Sequence, residues 1–254
     1  MTMSKRELQE LLTVERFGRA SAYDAEWVVA NEMGPNALWL AEWLCEVMDL
    51  QPGMRVLDMG CGKALSSIFL AREFGVQVWA TDLWIPAAEN WRRVREAGLE
   101  DRVFPIHAEA RALPYADEFF DAVVSLDSYH YYGTDVHYLE FHMLKLLKRG
   151  GQIGIVSPAS PQEVPHPRPD HLDEEWHWVQ SVAWWRRHWE RCRGLEVRSC
   201  EAVPDGWEYW VRWLEMMLAS GRENRPGESA DELAQLRADQ GRYLGFVRMI
   251  AERK

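Results

Sequence analysis

The stretch Val56-Leu57-Asp58-Met59-Gly60-Cys61-Gly62-Lys63-Ala64 decides the fold. A short apolar run ends in an acid, and a Gly-x-Gly turn follows it directly. Glycines at positions 60 and 62 allow backbone angles that a Cβ would forbid and let the chain approach a ligand closely. A helix that starts after such a turn offers unpaired N–H groups in its first turn. The pattern therefore predicts a strand–turn–helix unit that binds a ligand at the turn.

On both sides of this turn, short apolar runs alternate with helical patterns. Strands are predicted at Arg55–Asp58, Val76–Thr81, Val103–His107, Phe120–Ser125, Gln152–Val156, Leu195–Val203 and Tyr243–Ala251. Helices are predicted at Ala64–Phe74, after Pro86 with Ala87, Trp91 and Val94 on one face, and from Asp135 to the Gly150–Gly151 pair. Strands that alternate with helices at this spacing form a parallel sheet. The sequence thus predicts an α/β, Rossmann-like, doubly wound and mostly parallel sheet of seven strands.

The chain is expected to form a single domain of residues 1–254. Its parts are an N-terminal helical cap (1–50), the core that carries the turn (51–157), an insertion after strand five (158–193), and C-terminal strands and helices (194–254). The insertion opens with five prolines and is expected to act as a lid over a substrate. A helix is predicted inside it at Ser181–Cys192, with tryptophans on its core face. Ser229 and Glu232 predict a capping box for a later helix.

Composition narrows the classes of function. The formal net charge is −11, which repels phosphate backbones and argues against nucleic acid as a partner. No apolar run reaches the roughly 18–20 residues of a membrane helix, and Met1–Glu10 lacks the apolar stretch of a secretory signal. The four cysteines show no CxxC or metal-binding spacing, so free thiols, no metal and a cytoplasmic location are expected.

Two cofactor classes compete for the turn. A dinucleotide fingerprint would place a third glycine at position 65, where the chain has Leu65. An acid at Asp58, directly before the turn, is unfavourable beside a diphosphate but suits a ligand that carries an ammonium group. A second acid, Asp82, ends the next strand and is placed to accept both ribose hydroxyl protons. The turn therefore favours S-adenosylmethionine, and a dinucleotide oxidoreductase is the weaker alternative.

These residues resemble a known family. VLDMGCGKA, then Thr81-Asp82-Leu83, Glu109–Tyr115 and Phe120-Asp121 are similar in order and spacing to the motifs of class I S-adenosylmethionine-dependent methyltransferases. The resemblance covers roughly residues 25–157 and is strongest to the small-molecule branch of ubiquinone-type, sterol-type and cyclopropane-synthase-like enzymes. Three positions depart from the family's pattern: Lys63 stands where threonine is frequent, Ala64 where a third glycine is usual, and Glu109 where aspartate is frequent.

The resemblance implies a role for each matching residue. The cofactor residues are Asp58, Gly60, Gly62, Asp82, Leu83, Glu109, Ala110 and Asp127. Within this set the acid before the turn fixes the methionine amine, and Asp82 holds the ribose. Leu83 packs on the adenine, and Glu109 reads the adenine edge. Asp127 lies beside the methionine end.

The acceptor is expected at the carboxyl edge of the sheet, where ligands of open α/β folds bind. His130, which follows strand four, is the candidate general base. Residues expected to touch the acceptor are Tyr23, Tyr129, Trp176, Trp184 and Trp207. Such aromatic faces suit flat rings and cationic amines alike. The predicted enzyme is a methyltransferase that acts on a small molecule by in-line methyl transfer, and aromatic and cationic acceptors both remain open. The alternatives are a non-catalytic S-adenosylmethionine-binding protein and a protein or RNA methyltransferase.

Overall fold

Seven strands form one sheet at the centre of the computed structural model, which describes residues 3–221 and 228–254. The strands are β1 Arg55–Met59, β2 Gln77–Asp82, β3 Val103–His107, β4 Phe120–Leu126, β5 Leu147–Ala159, β6 Leu195–Ala202 and β7 Gly245–Arg253. Their order across the sheet is β3-β2-β1-β4-β5-β7-β6. The first five pair in parallel, and β7 is antiparallel to both β5 and β6. The predicted fold class is confirmed.

Eight α-helices are described around this sheet. They are α1 Lys5–Leu12, α2 Ala25–Ala30, α3 Ala37–Cys45, α4 Leu65–Phe74, α5 Ala87–Glu96, α6 Val182–Glu190, α7 Gly206–Ser220 and α8 Glu228–Asp239. The sequence predicts no helix at α7. A side chain caps the start of four of them, α1, α2, α3 and α6; for example, Asn36 accepts from Leu38 and Trp39 N–H, and Ser181 accepts from Trp184 N–H. In these helices the side chain before the first turn accepts a hydrogen bond from a backbone N–H that has no partner within the helix.

The helix predicted from Asp135 to the double glycine is wrong. The structure has a π-helical turn at Leu139–Met143, a 3-10 turn at Leu144–Leu146, and β5 from Leu147 onward. Leu147 pairs with Phe120, whereas Gln152 pairs with Ala122, so residues 148–151 form a bulge in the strand. The glycines that suggested a helix end belong to this bulge. Pairing with β4 and burial of the leucines outweigh the helical spacing.

Two smaller sequence predictions also fail. Helix α8 already includes Ser229, so this serine is not the cap of a capping box with Glu232. On α5 the inward face carries Asn90 and Val94, while Trp91 is 39% exposed. Position 90 lies inward because its amide donates to the carbonyl of Gly62, a polar contact that hydrophobic spacing does not reveal.

The helices bury two apolar cores, one on each face of the sheet. The N-terminal helices, α4, α7 and α8 cover one face, and α6 with residues 129–147 covers the other. Five tryptophans are among the largest fully buried side chains: Trp39, Trp43, Trp185, Trp189 and Trp213. With Trp176 and Trp210, seven of the chain's 14 tryptophans are buried, so packing accounts for half of them. Within the described ranges, no helix is long and apolar enough to cross a membrane.

Candidate functional site

A cavity of about 250 Å³ opens at the carboxyl ends of β1, β2 and β4. Its floor is the glycine turn and the strand ends, at residues 60–63, 82–84 and 126–128. Residues 108–111 form one wall, and residues 31–35, between α2 and α3, form the opposite one. Loops at this edge of an open α/β sheet are where its ligands bind. The cavity thus lies where the sequence places a cofactor.

The glycine turn is held too tightly for side chains. Gly60 and Gly62 have φ of +73° and +53°, in the region that favours glycine. A Cβ at Gly60 would overlap the Ser128 hydroxyl, and one at Gly62 would lie 2.9 Å from the Met33 sulfur. The next turn residue, Ala64, also has a positive φ of +63°, which is strained for alanine. The turn therefore keeps its backbone open toward the cavity.

Asp58, expected to contact the cofactor, lies beneath the turn, is completely buried and does not itself line the cavity. Ser66 and Ser67, in the first turn of α4, both donate to its Oδ2 at 2.6 Å. Its Oδ1 is buried and has no hydrogen-bond partner among the described residues. Burial raises the pKa of Asp58 to about 6, and the two serine hydroxyls only partly oppose this. A buried carboxylate oxygen without a donor is a place for a cationic or N–H-bearing group.

Asp82 joins the end of β2 to the glycine turn. Its Oδ2 accepts from the N–H of Gly62 at 2.8 Å, and its Oδ1 accepts from the N–H groups of Trp84 and Ile85 at 2.7 and 2.9 Å. The carboxylate also lines the cavity. Because three of about four lone-pair sites are used, Oδ2 can still accept a hydrogen bond from a ligand hydroxyl.

Leu83, Glu109 and Ala110 line the cavity together, beyond Asp82. The carboxylate of Glu109 is engaged by its neighbour: Oε2 accepts from the Arg111 N–H at 2.7 Å, and Oε1 lies 3.3 Å from Nη1 of Arg111. The carbonyl of Leu83 contacts His107 Nε2 at 2.7 Å. These contacts fix the loops that present an apolar side chain and a carboxylate to one end of the cavity.

Asp127 marks the other end of the cavity. Its backbone φ is +49°, and its N–H donates to the Val156 carbonyl, so the residue turns out of β4 against the loop at 31–35. A Cβ at Gly34 would overlap Asp127 Oδ2. Burial raises the pKa of Asp127 well above its usual range, and the charge of Glu232 adds to this. A cation bound here would restore the ionised carboxylate.

His130 does not line the cavity. It is buried, with Nδ1 3.0 Å from the Ser157 hydroxyl and its ring stacked on Trp178 at 4.4 Å. Burial lowers the pKa of His130 to about 4, so the ring is neutral at pH 7. The ring of Tyr131 lies 4.1 Å away and faces the cavity in its place. The structure thus sets His130 behind the wall, as a support for Tyr131.

The five residues expected at the acceptor also lie away from the cavity lining. Tyr129 is buried against Trp185 and Trp189, and Tyr23 donates to Glu73 at 3.0 Å across α4.

Of the three tryptophans of that set, Trp176 is buried in one core, Trp184 packs at the edge of the other, and Trp207 is half-buried outside both. Trp176 donates to Gln235 of α8 at 2.7 Å and contacts Trp210. Trp184 stacks on His188, and Trp207 lies against Gly241. Large aromatic rings gain most by such burial, and a composition rich in tryptophan does not separate packing from ligand contact.

Sequence reasoning missed several lining residues. Met33 and its loop close the cavity over the glycine turn, held by Lys63 Nζ on the carbonyls of Ala30 and Glu32 and by Trp213 Nε1 on Gly34 O. Trp84 and Tyr131 line its mouth. The signal for these last two was present, since Trp84 follows the predicted ribose acid and Tyr131 follows strand four. No pattern marks the loop, which depends on tertiary contacts.

No three His, Cys, Asp or Glu side chains lie close enough together to hold a metal ion in residues 3–221 and 228–254. The four cysteines are free thiols, and three of them are buried.

Comparison with known proteins identifies the region that contains this site. Residues 56–151 match a family described as a methyltransferase domain. The chain is 37% identical over 117 residues to methyltransferase GfsG of Streptomyces halstedii, covering 46% of this chain and 42% of that protein. It is 30% identical over 142 residues to demethylmenaquinone methyltransferase of Mycobacterium sp. (strain KMS), covering 56% and 57%. The chain spans about half the length of these curated relatives.

Solved structures share the fold over more of the chain. The [4+2]-cyclase SpnF superposes with a TM-score of 0.69 at 22% identity, over 88% of this chain and 83% of that one. A geranyl diphosphate methyltransferase solved in complex with S-adenosylmethionine gives 0.68 at 20% identity, over 86% of each chain. At these identities the likeness shows a common fold.

Proposed function

We propose that this chain, which carries the methyltransferase domain of the class I S-adenosylmethionine-dependent family, transfers a methyl group from that cofactor to a small-molecule acceptor. One observation carries the proposal: a cavity at the strand ends presents a glycine turn, a ribose-type acid at Asp82 and a second carboxylate at Asp127 around one ligand-sized space, with Asp58 buried directly before the turn. The match over residues 56–151 supports the same cofactor.

The residues present fit this cofactor. Asp58 has an oxygen without a donor, and Asp127 a carboxylate whose pKa is raised by burial; both sites suit the ammonium group of the methionine end. Gly60 and Gly62 line the cavity, so their backbone would lie beside the methionine chain. Asp82 would hold the ribose hydroxyls, with Leu83 and the Glu109–Ala110 segment at the adenine.

When bound, the cofactor supplies an electrophilic methyl group on a sulfonium centre. The chain's own contribution is to orient and to exclude water. The loop at residues 31–35 covers the glycine turn, and Lys63 and Trp213 hold that loop in place. Tyr131, braced by His130, faces the open side of the cavity. Because His130 lies behind the cavity wall, against Trp178 and Ser157, we assign it a positioning role.

A small acceptor follows from charge and shape. The net charge of −11 opposes nucleic acid, and the cavity is enclosed by loops on two sides. The free cysteines are consistent with a reducing, cytoplasmic setting, which we include in the proposal. The names of the relatives, which include a demethylmenaquinone methyltransferase, point to small acceptors as well.

The test has two steps. Calorimetry should give tight binding of S-adenosylmethionine and S-adenosylhomocysteine and none of NAD. Incubation of the protein and S-adenosylmethionine with a panel of phenols, amines and thiols should then release S-adenosylhomocysteine, measured by mass spectrometry, with at least one of them. Failure to bind either adenosyl ligand would overturn the cofactor assignment. Binding without turnover across the panel would favour the non-catalytic alternative.

A further inference from the structure

Exposed apolar side chains are concentrated at the mouth of the cavity. Eight large hydrophobic side chains are exposed in the described part of the chain, and four of them line this one opening: Met33, Leu83, Trp84 and Tyr131. The two rings dominate, because Trp84 is 58% and Tyr131 63% exposed. They come from different loops, after β2 and after β4, yet their centroids lie 5.3 Å apart in a T-shaped contact.

These two rings are rigidly supported. Behind Tyr131 stand His130 at 4.1 Å and then Trp178 at 4.4 Å from His130, and Trp178 continues to Trp176 at 6.0 Å. The row therefore runs from the cavity mouth into the insertion after β5. Trp84 is fixed at its backbone, since its N–H donates to Asp82. Exposure of two large aromatic rings to water is unfavourable. Because both rings are held in place at the mouth of the cavity, we infer that a ligand covers them.

We propose that Trp84 and Tyr131 form the acceptor subsite and that the acceptor presents a flat, uncharged ring system to them. This inference rests on the proposed function. A neutral ring fits this mouth better than a cation, because the two rings themselves are uncharged and the carboxylate of Glu109 beside them is already paired with Arg111. Asp127 lies at the methionine end, where the cofactor's ammonium group would use its charge.

The insertion then has a role other than a lid. It is tied to α8 by Trp176 and by the Asp173 N–H, both on Gln235 Oε1, at 2.7 and 3.0 Å. From this fixed position it braces His130 and, through it, the exposed face of Tyr131. Aromatic contacts of this type depend on ring geometry, so a rigid platform selects flat partners over puckered ones of equal size.

The experiment measures binding to the protein saturated with S-adenosylhomocysteine. The probes are 2-naphthol, its saturated analogue decahydro-2-naphthol, and phenyltrimethylammonium, each titrated by calorimetry. We expect 2-naphthol to bind at least about tenfold more tightly than the other two. Trp84→Leu and Tyr131→Leu should each weaken 2-naphthol by roughly three- to tenfold, the range expected for one aromatic contact. Tyr131→Phe, which keeps the ring, should not.

Phe141→Leu is the matched control, because Phe141 is 60% exposed but does not line the cavity. The proposal is overturned if the saturated or the cationic probe binds as well as 2-naphthol, or if the control weakens 2-naphthol as much as the two test variants do. It is also overturned if Trp84→Leu and Tyr131→Leu weaken S-adenosylhomocysteine as much as 2-naphthol, since the rings would then belong to the cofactor. If the unmodified protein does not bind S-adenosylhomocysteine at all, the proposed function itself is refuted.

Discussion

The carboxylate of Asp82 accepts a hydrogen bond from the backbone N–H of Gly62 at 2.8 Å, so the end of β2 is tied to the turn that follows β1. The same carboxylate holds the N–H groups of Trp84 and Ile85. One side chain therefore shapes the glycine turn and the adenine-side loop, in addition to facing the cavity. Its removal should affect both architecture and ligand binding.

Asp82→Ala should weaken S-adenosylhomocysteine by more than tenfold, because hydrogen bonds to a charged acceptor contribute on the order of 1.5–3 kcal/mol each. Calorimetry gives the affinity, and thermal unfolding reports the loss of the backbone contacts. Asp117→Ala, at an exposed carboxylate in the loop before β4, should leave both unchanged. If Asp82→Ala binds S-adenosylhomocysteine as tightly as the parent does, Asp82 does not hold the ribose.

Asp127 should make cofactor affinity depend on pH. Its pKa is raised by burial, so the unliganded protein holds a proton there at a pH where an ordinary aspartate is ionised. An ammonium ligand favours the ionised form, so binding releases this proton and strengthens as pH rises. Asp127→Asn should flatten that dependence. Methylthioadenosine, which lacks the amino acid end, should bind both proteins equally; a difference for it would contradict the placement of Asp127.

Asp58 should make the free energy of unfolding of the unliganded protein depend on pH. Its folded pKa is about 6 against a reference value of 3.8, so the folded state retains a proton that the unfolded state has lost between these pH values. Stability contributed by this group falls as pH rises through that window, by about 3 kcal/mol, and then stays constant. Denaturant unfolding of the parent and Asp58→Asn, at intervals from pH 4 to 7, should show this as a change in their difference.

His130 has the opposite effect on the pH dependence of stability, because burial lowers its pKa to about 4. Both proteins contain His130, so its contribution cancels in the difference between their unfolding free energies. A difference that does not change with pH would show that Asp58 is ionised throughout. Saturation with S-adenosylhomocysteine should also reduce the pH dependence, since the ligand's ammonium group favours the carboxylate.

Ala64→Gly should stabilise the protein. Alanine at φ +63° carries a left-handed strain of about 1–2 kcal/mol that glycine does not, although glycine also costs unfolded-chain entropy, so a gain of up to about 1 kcal/mol is expected. Ala71→Gly is the matched control: it is equally buried but lies inside α4, where glycine should destabilise. Equal destabilisation by both changes would rule out strain at position 64.

Trp213→Phe should loosen the loop over the cofactor, because it removes the 2.8 Å hydrogen bond from Nε1 to the Gly34 carbonyl. A loss of about 1 kcal/mol, or several-fold in S-adenosylhomocysteine affinity, is expected. Trp210→Phe provides the comparison, since the Trp210 indole N–H is buried with no partner among the described residues and its loss costs no hydrogen bond there. If the two variants bind alike, the loop is held by other contacts.

The parallel half of the sheet could be predicted from the sequence because local signals agree there. Strand runs, the glycine turn and the strand-end acids repeat at regular spacing, and the structure brings Gly60, Gly62, Asp82, Leu83, Glu109, Ala110 and Asp127 to one cavity. The segment before β5 was mispredicted because its leucines have helical spacing, whereas pairing with β4 decides the outcome.

The acceptor side was harder to predict for a different reason. Trp176, Trp184 and Tyr129 have the composition of a binding surface, but burial against other rings is worth as much to them. Which ring remains exposed depends on contacts between segments distant in the chain. Tyr131, one residue beyond the candidate base, is exposed only because His130 turns inward to Ser157.

The position of β7 between β5 and β6 has a kinetic consequence. Strand β6 has no direct pairing with β5, so residues 195–202 join the sheet only with or after residues 245–253, which pair with β5. Folding of the sheet is therefore sequential at this side: the parallel strands can assemble from contacts nearby in the chain, whereas the antiparallel pair closes a long loop last. An intermediate that lacks β7 would present β5 as an unprotected edge over its full length, which is where association between partly folded chains would begin.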